Sequence, residues 1–126
     1  MSASNYTELK LLDHLLGNTT FTQPASLYVA LYTVTPSDTG GGTEVTGGSY
    51  ARQTASFGAA ASGACANDAL ITFSDMPSGS LVAFGILDAS SGGNLLVWGP
   101  LTSQPVSVSA GQPVEFPIGS LIVTMD

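Results

Sequence analysis

The sequence predicts an all-β protein, an antiparallel β-sandwich or jelly-roll-like domain of seven or eight strands behind one short N-terminal α-helix. Three observations carry this. Helical periodicity is confined to residues 5–16. From Leu27 onward, short runs of Val, Ile, Leu and aromatic residues are bounded by Gly, Pro, Ser, Asn or Asp, the pattern of strands joined by turns. No helical segment is interleaved among those runs, so the crossovers that a parallel sheet requires are missing. A chain of 126 residues is expected to form one domain, 1–126, burying about two thirds of its surface in a single core. The helix occupies 5–16 and the sandwich 27–126.

The helix is justified by its period and its ends. Tyr6, Leu9, Leu12 and Leu16 recur at three- and four-residue spacing, joined by Leu11 and Leu15. In Asn5-Tyr6-Thr7-Glu8 the asparagine predicts an N-cap, with a reciprocal glutamate three residues later. Gly17-Asn18 ends the run as a left-handed cap does. Because Leu11 and Leu15 lie off the line through Leu9, Leu12 and Leu16, the apolar surface is wider than one stripe, and such a helix needs cover on two sides.

The predicted strands are Leu27 to Val34, Tyr50 to Phe57, Ala69 to Phe73, Leu81 to Asp88, Leu95 to Gly99, Val106 to Ser109, Val114 to Phe116 and Leu121 to Met125. In Leu27-Tyr28-Val29-Ala30-Leu31-Tyr32 the aliphatics point one way and both tyrosines the other, so Tyr28 and Tyr32 are expected on a half-wet face or at an interface. Asp88-Ala89-Ser90-Ser91-Gly92-Gly93-Asn94 has the composition of a hairpin loop, and Ala110-Gly111-Gln112-Pro113 is read as doing the same later. Pro100, Pro105, Pro113 and Pro117 remove ladder donors and place the C-terminal third at edges and corners. Thr35 to Ser49 and Gly58 to Ala66 are low in complexity and are expected as long connections, functional or docked on a partner.

Composition bounds the function. Lys10 and Arg52 are the only cations beside nine carboxylates, the net charge is −7, and 44% of residues are hydrophobic. A monomer of this mass exposes roughly 6,200 Å², over which so few charges spread far more thinly than on a solubilised surface. Much of the surface is therefore expected to face protein, as in a subunit of an assembly. The basic footprint of a nucleic-acid binder is missing, and anionic membrane is excluded as a partner on the same ground. A single cysteine, Cys65, rules out an intrachain disulfide and cysteine-pair zinc sites; it is expected as a small buried apolar residue. Met1-Ser2-Ala3-Ser4 has neither a basic nor an apolar segment of a signal peptide, and the apolar run Leu81 to Leu87 is too short to span a bilayer.

Catalytic chemistry finds little support. His14, the one histidine, lies inside the helix with no nucleophile elbow near it. Asp38, Glu44, Asp68, Asp75 and Asp88 sit beside Gly, Pro or Ser, where aspartate normally caps local backbone. Trp98 alone is a thin platform for a sugar-cleaving cleft. Asp88 with Asn94 lacks the alternating oxygen donors of an EF-hand, and the glycine runs are followed by neither Lys-Ser/Thr nor a helix. Asn18-Thr19-Thr20 matches a glycosylation sequon, which carries weight only in a secreted chain. No catalytic residue, cofactor or metal is predicted.

Several segments together carry a resemblance. Leu11-Leu12-Asp13-His14-Leu15-Leu16-Gly17, Leu27-Tyr28-Val29-Ala30-Leu31-Tyr32-Thr33, Gly41-Gly42-Thr43-Glu44-Val45 with Gly48-Ser49-Tyr50-Ala51-Arg52-Gln53, Phe84-Gly85-Ile86-Leu87-Asp88 and Gly92-Gly93-Asn94-Leu95-Leu96-Val97-Trp98-Gly99 resemble a family of short tailed-bacteriophage virion proteins. The likeness runs from about residue 5 to the C-terminus. It implies a non-enzymatic virion part made in the host bacterial cytoplasm, with two readings. The favoured one is a capsid decoration, or cement, protein binding the major capsid protein as a trimer; the other is a tail-fibre or tail-tip component. Small size and low charge fit the first, whereas a fibre is expected to show a repeat or a coiled-coil stalk.

Two sets of residues follow as candidates. Tyr6, Leu9, Leu12 and Leu16 on the helix, with Tyr28 and Tyr32 on the first long strand, are the candidate interface with copies of the chain or other virion proteins. Arg52 follows the glycine-rich loop, and pairing with Asp38 or Glu44 is expected to fix that loop, since a guanidinium suits a carboxylate bidentately.

Overall fold

The structure is a computed structural model describing residues 1–125. In chain order its elements are β1 (Ser2–Ala3), α1 (Asn5–Leu15), β2 (Leu27–Val34), β3 (Thr43–Glu44), β4 (Gln53–Ala55), β5 (Ala64–Ala66), β6 (Ile71–Phe73), β7 (Gly79–Leu81), β8 (Ala83–Leu87), β9 (Leu95–Pro100), β10 (Val106–Val108), β11 (Val114–Phe116) and β12 (Ile122–Thr124). The fold is all-β and sandwich-like. A six-stranded sheet runs β1-β9-β8-β2-β3, with β4 also on β2, and three two-stranded ladders, β10-β7, β11-β6 and β12-β5, complete the molecule. Every pairing is antiparallel.

Each of the eight predicted runs contains a strand, and β2 has the expected bounds. Four short strands were not expected: β1, β7, and β3 and β5, the last two inside the segments read as connections. Their two or three residues are too few to show a period; they become strands because a partner lies alongside, β5 on β12 and β3 on β2. The turn at Ala110 to Pro113 is a correction. It does not join a hairpin, because β10 pairs with β7 and β11 with β6. Instead the Gly111 amide donates to the Met76 carbonyl and the Met76 amide to the Gln112 carbonyl, so the turn crosses from one ladder to the next.

The core forms where the ladders meet the sheet. Val29 and Leu31 of β2 and Phe84 and Ile86 of β8 face Ile71, Phe73, Leu81, Val108 and Leu121, and Tyr50 stacks on Phe73 at a centroid distance of 5.9 Å. Asn67 is the polar pin of this layer, 1% exposed. Its Nδ2 donates to the carbonyls of Ala69, Phe116 and Pro117, while Oδ1 accepts from the Leu121 amide.

The other face of β2 is covered as well. Ala30 and Tyr32 pack with Ala83 and Leu87, which explains the nearly unbroken apolar run of this strand: a central strand buried on both faces has no wet side to alternate toward. Tyr32 is thus corrected from an interface position to a buried one, 5% exposed, whereas Tyr28 is half-buried. Gly85 makes the room. A Cβ there would stand 2.9 Å from the Tyr32 ring and 2.8 Å from Leu95 Cδ1.

Candidate functional site

The helix starts at Asn5, the bound expected for it, but its cap lies one residue earlier than the sequence indicates. Ser4 is the N-cap, its Oγ accepting from the Thr7 amide at 3.2 Å, and the Glu8 amide donates to the Ser4 carbonyl. Asn5 is displaced from that role because its own amide bonds the Asp38 carbonyl, and Ser4 is held by bonds to the carbonyls of Leu95 and Leu96 on β9. At the other end Leu16 is the C-cap, and Gly17 takes the expected left-handed conformation. Only Thr7 of the helix is buried, with Leu11 half-buried beside it.

Leu9, Leu12 and Leu16 point elsewhere. At roughly 100° per residue they lie about 140–200° around the axis from Thr7, and they are 64%, 53% and 76% exposed. Among the described residues nothing provides the two-sided cover that the sequence calls for. The total exposed area, 7001 Å², correspondingly exceeds the value of roughly 6,200 Å² expected for a compact monomer of this mass. Glu8 and Asp13 flank the stripe, and Lys10 sits over the Tyr6 ring, 5.8 Å from its centroid.

Arg52 pairs with Glu44. Its Nη2 meets Glu44 Oε1 at 2.8 Å and its Nε meets Oε2 at 3.0 Å, while Nη1 donates to the carbonyls of Ala89 and Gly92 at 2.9 and 2.8 Å. One side chain thereby fastens β3 to the loop after β8. Tyr50 closes the group, donating to Glu44 Oε2 and accepting from the Leu31 amide. The hydrogen bond to Glu44 raises the guanidinium further above its ordinary range, and burial does the same to the Tyr50 phenol.

Asp38 has a different task from the one considered for it. Its Oδ1 accepts from Ser2 Oγ at 2.7 Å and from Trp98 Nε1 at 2.9 Å, which pins β1 and β9 to the turn at Ser37–Gly40. These two bonds, the serine's first, hold the carboxyl below its usual range. Asp88 accepts from both the side chain and the amide of Asn94, and the side-chain bond lowers it too. Gly93 permits this closure, with φ +74° and a site where a Cβ would lie 2.5 Å from Asp88 Oδ1.

Between the start of the helix, the Ser37–Gly40 turn and the Asp88–Asn94 loop opens a cleft of about 490 Å³, floored by Tyr32, Leu87 and Leu95. A second depression, apolar and about 290 Å³, runs under the helix past Leu11, Phe57 and Cys65. Among the described residues no three His, Cys, Asp or Glu side chains converge as a metal site.

The structure therefore brings Arg52 and Glu44 together and leaves Asp38 apart from them. It collects Leu9, Leu12 and Leu16 on one free face, sets Tyr6 at the mouth of the cleft and buries Tyr32 in its floor. Sequence reasoning missed Ser4 as the cap, although a serine before an acidic first turn is a legible signal. It also missed Asn67, for which a lone asparagine in a small-residue segment offers no signal at all. His14 is exposed, its Nδ1 accepting from the Phe21 amide at 3.1 Å.

A protein-family model described as Gp80, podophage GP4 fiber I protein gp80, matches residues 2–124. No curated protein matches the chain.

Proposed function

The chain belongs to the podophage GP4 fiber I protein gp80 family, a family of phage virion structural proteins, and from that premise we propose that it is a non-enzymatic fibre component anchored to the particle by its helix. The observation that carries this reading is the leucine stripe: Leu9, Leu12 and Leu16 stay exposed on a helix that buries only Thr7. A helix of 11 residues is marginal on its own, and a row of leucines facing water serves an attachment better than it serves the fold.

Its partner is another virion protein with an apolar groove rimmed by Lys or Arg. Placed in heptad positions, Leu9, Leu12 and Leu16 form an a/d seam, Glu8 a g position and Asp13 the following e position, so a parallel bundle of copies sets Glu8 against Asp13 of its neighbour. The net charge of −7 adds to that repulsion. The trimer expected of a decoration protein therefore has no support from this face, and assembly proceeds through a basic partner in the infected cell's cytoplasm.

Capsid decoration is the second reading, favoured by a sandwich that shows neither stalk nor repeat among the described residues. The test counts and locates copies. Quantitative mass spectrometry of purified virions, with a tagged chain imaged on the particle, is expected to find few copies at the tail; hundreds spread over the head would establish decoration instead. A Leu12→Ser, Leu16→Ser variant is expected to fold normally and to be absent from virions. Its full incorporation would remove the helix as the anchor.

A further inference from the structure

We infer that the cleft floored by Tyr32, Leu87 and Leu95 is a binding site for a neutral saccharide. This goes beyond the virion role and stands whichever part of the particle carries the chain. Tyr32 is 5% exposed, and its hydroxyl makes no hydrogen bond among the described residues, although every fully buried side-chain polar atom there has a partner. The hydroxyl must therefore reach solvent, and Tyr32 lines the cleft. A phenol sunk in apolar floor with its one polar atom free at the surface is the arrangement that orients a ligand, because a ligand hydroxyl supplies the bond the chain leaves unmade.

The walls state the ligand's chemistry. The volume of about 490 Å³ suits one or two sugar rings. Asp38 spends only Oδ1 on Ser2 and Trp98, which leaves Oδ2 as an acceptor for a sugar hydroxyl. Thr39 and Asn94 add polar groups at the rim, and a Cβ at Gly40 or Gly92 would meet nothing within 4 Å, so backbone stands open to a ligand there. Leu87, Leu95 and the Tyr6 ring offer apolar surface for the C–H face of a pyranose. An anionic ligand does not fit: the guanidinium of Arg52 at the wall is neutralised by Glu44 and its Nη1 is spent on two carbonyls, while Asp38 and the net charge of −7 repel it.

The test titrates the isotope-labelled full chain with glucose, galactose, mannose, rhamnose and N-acetylglucosamine, and with sialic acid and inorganic sulfate as anions, following backbone amide signals. At least one neutral sugar is expected to shift Thr39, Gly92 and Gly93 with a millimolar Kd, as suits a ligand of this size. Tyr32→Phe keeps the ring and the packing, and is expected to weaken that binding about fivefold to tenfold, the worth of one hydrogen bond, with an unchanged melting temperature. No shift of those amides by any neutral sugar overturns the assignment, as does equal affinity in Tyr32→Phe. Selective shifts by sialic acid or sulfate overturn its neutral character. None of these outcomes bears on where the chain sits in the virion.

Discussion

Arg52 and Glu44 meet fork to fork, with Nη2 2.8 Å from Oε1 and Nε 3.0 Å from Oε2, and the remaining face of the guanidinium holds the Ala89 and Gly92 carbonyls. Three donor nitrogens making these four bonds thus tie the glycine-rich connection to a hairpin loop far away in sequence. The side chains are 11% and 26% exposed, so the pair is partly shielded from water and worth more than an exposed one.

Arg52→Lys tests it. An ammonium on a flexible stem cannot satisfy a carboxylate and two carbonyls together, and the expected loss is about 1.5–3 kcal/mol of unfolding free energy. Limited proteolysis between Gly40 and Gly48 is expected to accelerate while the far-ultraviolet circular dichroism stays that of the folded chain. Identical cleavage rates in the two proteins would show that the clamp does not fix the loop.

Asn67→Ala strikes the buried pin. It leaves three carbonyls and the Leu121 amide without their partner, and we expect a loss of about 2–4 kcal/mol. Urea melts measure this, with Asn67→Asp as a companion that keeps the acceptor and removes the donors. A loss below that of an average surface substitution would assign the stability of the β5, β11 and β12 region to apolar packing alone.

Leu12→Ala and Leu31→Ala separate the free face from the core. Leu12 is 53% exposed and Leu31 0%, so the first is expected to change stability by within about 0.5 kcal/mol and the second to cost about 2–5 kcal/mol. Equal thermal shifts would mean that the helix face is covered in the isolated chain.

Acid acts through Asp38 and Asp88. Both carboxyls are held below their ordinary value, Asp38 by Ser2 and Trp98, Asp88 by Asn94. Groups lowered in the folded state stabilise it fully above the ordinary carboxylate pKa of about 4 and lose that contribution as pH falls through their folded values. The stability gap between the wild type and Asp38→Asn is therefore expected to be constant near neutrality and to narrow below about pH 4. A gap that widens on acidification would reverse the sign and remove Asp38 from the account.

What the sequence determined by itself was local. The period of Leu9, Leu12 and Leu16 defined a helix, Gly17 its end, the Leu27–Val34 run a strand, and the Asp88–Asn94 composition the hairpin between β8 and β9. These are matters of backbone preference and spacing over a few residues. Tertiary structure alone decided that Glu44 and not Asp38 takes Arg52, that Ser4 displaces Asn5 as the cap, that Tyr32 is buried while the leucines of the helix are not, and that β3 and β5 are strands. In each case the deciding partner is distant in sequence: Ala89 and Gly92 for Arg52, Leu95 and Leu96 for Ser4, Gly85 for Tyr32, β12 for β5. Hydrogen bonds and burial depend on what the folded chain brings within a few ångströms, and a linear pattern records only what lies beside each residue along the backbone.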